Sequence, residues 1–165
     1  MAVGTAVAVA LGVYGRVHTP TGLSLDLPGF SGTLYAKAWL GTFAFVLALV
    51  QIFTAMILEG RIKLDLPRVA DVHRWSGRLA VLLTVPVAVH CLYAVGLRFD
   101  DPRVLVHSLV GCLFYGAFVA KMLLLVRPGL PRWAIPVVAG VLFTALVALW
   151  LTSSLWVFTT AGFHL

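Results

Sequence analysis

Charge is what this sequence has least of. Only 11% of its 165 residues are Asp, Glu, Lys or Arg, against roughly 25% in a soluble globular domain, so there is too little polar surface to face water on every side. Just six residues are acidic, and all lie in connections between apolar runs. That placement excludes the midplane acids usual in transporters and paired carboxylates poised within a helix. No Ser-His-Asp set with a buried carboxylate, no Gly-rich phosphate loop and no HExxH is present, so catalysis by side chains alone is not expected. The two cysteines, Cys91 and Cys112, form neither the CxxCH of attached haem nor a zinc spacing, and mid-run they read as small hydrophobes. Internal repeats and low-complexity tracts are missing. No basic patch interleaved with aromatics accompanies the net charge of +6, which excludes a nucleic-acid footprint.

What is abundant is apolar length. Hydrophobic residues make up 61% of the chain and the mean hydropathy is +1.03. Runs at 38–58, 75–97, 104–126 and 133–158 each reach the roughly 20 residues that cross a bilayer. A shorter run at 1–16 is marginal at about 1.5 Å per residue. It lacks the basic segment that opens a secretory signal, which favours an anchor helix. In hydrocarbon only a helix satisfies its backbone within one segment, and the ten-residue alternation of barrel strands is absent. The expected fold is all-α: a single polytopic transmembrane helix bundle of about five helices with a four-helix core. Pro86 and Pro136 fall inside runs, and a kink at Pro86 would re-aim the helix near His90.

The basic residues predict an orientation. Arg61, Lys63, Arg68, Arg74, Arg78, Lys121, Arg127 and Arg132 fall on one side, and Arg16, Lys37, Arg98 and Arg103 on the other. Short loops rich in Lys and Arg stay cytoplasmic, so the N-terminus is expected inside and the C-terminus outside, in a bacterial plasma membrane.

The histidines are the candidate chemistry, because an ionisable group within a membrane helix is a functional hypothesis by default. His18 and His164 sit at segment ends, as interfacial residues do. His90 and His107 lie deeper, in the same external half of runs joined only by residues 98–103, so they are expected on antiparallel neighbours. Two facing imidazoles there suit the axial positions of a haem iron, and interhelical hydrogen bonding explains them as well. Gly111, four residues after His107, leaves room for a flat porphyrin, and Ala94 holds the matching place after His90. Ser108, Cys112, Gly116 and Ala120 recur every fourth residue as a small-residue packing seam. A second constellation, His73, Arg74, Ser76 and Arg78, is either an interfacial metal, haem or quinone site or a basic helix start with Trp75 as its anchor.

The segment His73-Arg-Trp-Ser-Gly-Arg78 with His90, followed by His107-Ser-Leu-Val-Gly-Cys-Leu-Phe-Tyr-Gly116 and Lys121, resembles the helix pair of the cytochrome b561 and ferric-reductase-type membrane proteins. His73, Arg74, Ser76 and Gly77 are also similar to the opening of the cytochrome b anchor subunit of succinate dehydrogenase. The resemblance implies haem b held by histidines on His-x3-Gly helices, with Ser76 and an arginine near a quinone. Four histidines hold two haems in the b561 family, whereas runs two and five here contain no internal histidine. One haem is therefore expected on His90 and His107, with His73 as the place for a second. The function expected is a membrane-embedded electron-transfer subunit working with a quinone or a redox partner, not an enzyme alone. The alternative is a colourless structural or anchor subunit of a larger complex.

Overall fold

The computed structural model describes residues 2–24, 26–99 and 101–164. Helix α1 is Ala2–Val17, α2 is Thr33–Leu58, and α3 is Val69–His90, running on into a π-helical turn at Cys91–Val95. Helix α4 is Pro102–Leu125; α5 (Ala134–Trp150), a second π-helical turn (Leu151–Leu155) and α6 (Trp156–Ala161) form one rod. Four helices are long and apolar enough to cross a membrane: Thr33–Leu58, Val69–Val95, Pro102–Leu125 and Ala134–Ala161. The chain is an integral membrane protein. Helix α1, at 16 residues, is shorter than the length usually needed to span.

Sequence chemistry accounts for these boundaries. Asp101 caps α4, its carboxylate accepting from the backbone N–H groups of Arg103 at 2.8 Å and Val104 at 3.4 Å, and Pro102 takes the first helical position, where no N–H is needed. Pro136 falls in the first turn of α5 and is tolerated there for the same reason. Helices α2 and α3 begin earlier than hydropathy suggests, at Thr33 and Val69, because each admits polar residues into its first turns. The most important is Lys37, which hydropathy assigned to the loop.

The bundle is inside out relative to a soluble protein. Leu82, Val89 and Leu109 are each more than half exposed, while among the described residues nine of the fifteen buried hydrophobic ones are alanine. Small interior side chains let backbones approach closely, which is how membrane helices associate without a hydrophobic driving force between them. Helix α1 lies along α4 through the small-residue seam expected from the sequence. A Cβ on Gly4 would strike the Gly116 carbonyl and lie 2.8 Å from Ala120, one on Gly116 would lie 2.8 Å from Ala8, and one on Gly12 would touch Cys112.

Packing runs α1 to α4, α4 to α5, α5 to α2 and α2 to α3. Helices α3 and α4 are consecutive, yet they do not close the ring by packing extensively against each other. The hydrogen bond from Tyr115 to Thr84 (2.9 Å) ties them at mid-length. At the C-terminal end of α3 its π-helical turn leaves the Tyr93 and Ala94 carbonyls to accept from the Thr21 and Gly22 N–H groups at 3.3 and 3.0 Å. Gly96 ends that turn with φ +70, where a Cβ would also press on Pro20 at 3.0 Å. Thus the loop after α1 is strapped across the end of α3.

Candidate functional site: a cavity between two separated helices

Where α3 and α4 stand apart, the bundle encloses a cavity of about 290 Å³ that α2 and the α5–α6 rod also line, at the small end of the roughly 300–1,000 Å³ typical of ligand sites. Thr84, Ala88 and Cys91 line it from α3, and His107, Gly111 and Tyr115 from α4. The end of it near the start of α4 also receives Lys37 from α2 and Arg103 from α4, and among the described residues no Asp or Glu lines it.

His107 Nδ1 lies 3.0 Å from the Thr152 hydroxyl, which is also 2.7 Å from the Ala148 carbonyl. When the hydroxyl proton is on that carbonyl the oxygen accepts from Nδ1–H, and Nε2 then keeps its lone pair. A histidine that ligates a metal is oriented in the same way, by donating its other ring N–H to a fixed acceptor. Gly111 lies one turn further along α4, and a Cβ there would meet only Leu149 at 3.8 Å.

His90 is arranged otherwise. Its Nδ1 lies 3.4 Å from the Lys37 ammonium, which has no lone pair to offer, so Nδ1 accepts and Nε2–H donates to the Leu23 carbonyl at 2.8 Å. Both nitrogens are used, and His90 is not among the residues lining the cavity. The structure does not bring His90 and His107 together as a facing pair; Lys37 bonds to one ring and lines the cavity with the other. Ala94 also lies outside the cavity, buried in the π-helical turn with its carbonyl bonded to Gly22.

The second constellation, at the start of α3, divides between two faces of that helix. His73 Nδ1 lies 2.8 Å from the Thr54 hydroxyl, which also reaches the Val50 carbonyl at 2.7 Å. Ser76 is buried and accepts at 2.7 Å from Gln51, which also donates to the His73 carbonyl. Gly77 permits that approach, since a Cβ there would lie 2.9 Å from the Gln51 amide. Arg74 pairs with Asp71 at 3.6 Å and Arg78 stacks on Trp75 at 5.0 Å, both on the exposed side. Ser76, two residues from each arginine, is turned about 200° away at 3.6 residues per turn. The structure therefore does not converge Arg74, Ser76 and Arg78 on one point.

Sequence reading missed Lys37 and Arg103 as cavity residues, and Gln51 and Thr54 as the inner partners. Gln51 carried a signal: it is the chain's only glutamine, set within an apolar run. Among the described residues no group of three or more His, Cys, Asp or Glu is placed to hold a metal ion.

A protein-family model matches the chain over residues 1–165. The chain belongs to DUF6529, a family of unknown function. No curated protein and no solved structure matches it. For this DUF6529 chain, function has to be argued from the cavity and its side chains.

Proposed function

We propose that the protein is a membrane-embedded haem b electron-transfer subunit, with His107 as an axial ligand in the cavity between α3 and α4. One observation carries the reading: the His107 imidazole, hydrogen-bonded through Nδ1 to Thr152, lines a largely apolar cavity in the bundle. Gly111 leaves the adjoining backbone bare, and the resemblance of His107 to Gly116 to b561-type helices agrees with it. Haem bound there would pass one electron at a time between partners while the helices supply position and low dielectric. His90 is the second axial ligand in this reading. It would have to give up Lys37 and Leu23 and turn toward the gap, and α3 would move outward to widen a cavity this small. A redox partner or quinone is required, because the chain carries no nucleotide or flavin motif. The basic loop at 59–74 faces the cytoplasm in this proposal, with the N-terminus inside and the C-terminus outside.

The purified protein is expected to show a b-type spectrum that His107→Ala abolishes; a colourless protein, or an unchanged spectrum in His107→Ala, would refute the proposal.

A second reading is a structural or anchor subunit in which histidines pin helices together. The use of both His90 nitrogens and the bridging of α2 to α3 by His73 favour it. Such a protein would bind no haem, and loss of either histidine would change stability alone.

A further inference from the structure

The cavity is long, narrow and mostly apolar. Its lining on α4 runs from Arg103 to Tyr115, which is about 18 Å of helix at about 1.5 Å per residue. A volume of about 290 Å³ spread over that length suits a chain better than a disc. Both π-helical turns among the described residues border it, one through Cys91, Leu92 and Val95 and the other through Thr152 and Ser153. Such turns are rare and frequently mark functional sites. Two cations line the cavity, and they differ. Arg103 is satisfied: it lies 3.6 Å from Asp101, donates to the Thr152 carbonyl at 2.7 Å and stacks 3.8 Å over the Trp156 ring. Lys37, in the second turn of α2, is not. Its ammonium has three N–H donors, yet among the described residues it meets only His90 Nδ1, at 3.4 Å, and no carboxylate. A cation within a membrane helix is costly while uncompensated.

We infer that the cavity binds a single-chain carboxylic acid, a free fatty acid drawn from the bilayer, with its carboxylate on Lys37 and its hydrocarbon chain running along α4 toward Thr84 and Tyr115. Such a ligand supplies both things the site lacks, an anion for Lys37 and apolar filling between the walls. The carboxylate takes the Lys37 donors that His90 leaves unused, in charge-assisted hydrogen bonds. The chain ends where the Tyr115 hydroxyl donates to Thr84 at 2.9 Å, because that bond ties α4 to α3 and limits the length admitted. A cavity at the small end of ligand-site volumes takes one chain and excludes the two of a phospholipid. This inference does not rest on the haem reading. It concerns the bundle with α3 where the structure has it, whereas haem requires α3 to move outward.

The experiment compares tritiated palmitate with tritiated methyl palmitate, which has the same chain and no charge, on full-length protein purified from haem-deficient cells into dodecyl maltoside. Affinity is read by scintillation proximity in wild type, Lys37→Met, Lys37→Arg and Gly111→Leu. Wild type is expected to bind palmitate saturably and about tenfold or more tightly than the ester, as hydrogen bonds to a charged group allow. Lys37→Arg keeps that preference. Lys37→Met loses it while binding the ester as wild type does, which shows that the variant is folded. A Cβ at Gly111 meets only Leu149 at 3.8 Å, so a leucine fits there, fills the channel and weakens both probes. Equal affinity for the two probes in wild type, or a preference that survives in Lys37→Met, would overturn the assignment of the carboxylate to Lys37. Undiminished palmitate binding by Gly111→Leu would place the chain outside the cavity, and wild type that binds neither probe would overturn the inference outright. Because no haem is present, these outcomes are independent of His107 ligation: a colourless protein from haem-sufficient cells would refute the haem reading and leave palmitate binding standing.

Discussion

His107 Nδ1 lies 3.0 Å from the Thr152 hydroxyl, which also reaches the Ala148 carbonyl at 2.7 Å one turn earlier on the last span. With its proton on that carbonyl, Thr152 accepts from Nδ1–H and leaves the Nε2 lone pair to the cavity. Its replacement by valine keeps the side-chain shape and removes the acceptor. Thr152→Val is expected to weaken haem retention by about 10- to 100-fold, the range for partners that orient a ligand, with the helix content unchanged. The check is a haem titration beside a circular dichroism spectrum; unaltered affinity would show that the bond does not orient a ligand.

The contact of α1 with α4 depends on the absence of side chains at Gly4 and Gly116. Gly116→Leu is expected to destabilise the bundle by about 1–3 kcal/mol, as overpacking does. Gly140 has nothing within 4 Å of a Cβ built on it, so Gly140→Ala should be neutral or slightly stabilising, because glycine costs roughly 0.5–1 kcal/mol in a helix. Unfolding in mixed detergent micelles separates the two, and equal stability of both variants would mean that α1 docks elsewhere.

The polar cluster of Gln51, Thr54, His73 and Ser76 is a clasp between α2 and α3. Gln51 joins α2 to α3 through the His73 carbonyl and the Ser76 hydroxyl. Hydrogen bonds between membrane helices average about 0.6 kcal/mol each, so Gln51→Leu should cost roughly 1 kcal/mol of stability. It should leave the spectrum of the outer site unchanged. A lost or shifted haem spectrum in this variant would make the cluster part of the redox site.

Orientation is testable in a background with Cys91 and Cys112 replaced by alanine. A cysteine at Thr21 is expected to react with an impermeant reagent added outside intact cells, and one at Lys63 only after lysis. The opposite pattern would invert the protein in the membrane and put the cavity in the cytoplasmic half.

Much of the architecture was legible in the sequence because hydrocarbon leaves the chain few choices. Four runs of about membrane length became four long helices, and the spacing of Ser108, Cys112, Gly116 and Ala120 marked the face of α4 that receives α1. Lys37 and Arg103 escaped because a hydropathy run ends where a charge begins, whereas a helix can carry a long cation into its first turns. His90 and His107 were expected to face each other because their helices are joined by a short connection. A short connection fixes antiparallel order, but lateral packing is decided by which faces fit: the small residues of α4 are taken by α1, and α3 packs on α2. The clasp is half visible in sequence, since His73 and Ser76 stand out while their partners Gln51 and Thr54 are single polar residues within the apolar run 38–58.

The central claim is that His107 ligates haem in the cavity between α3 and α4. Its most direct test is a pyridine haemochrome spectrum of the full-length protein, purified from haem-sufficient cells, recorded for wild type and His107→Ala at equal protein concentration. The account predicts a b-type haem in wild type, released by acidified solvent and therefore not covalent, and none in His107→Ala, with both proteins inserted in the membrane and equally helical. A wild type that carries no haem, or a His107→Ala variant that keeps it in full, would contradict the account.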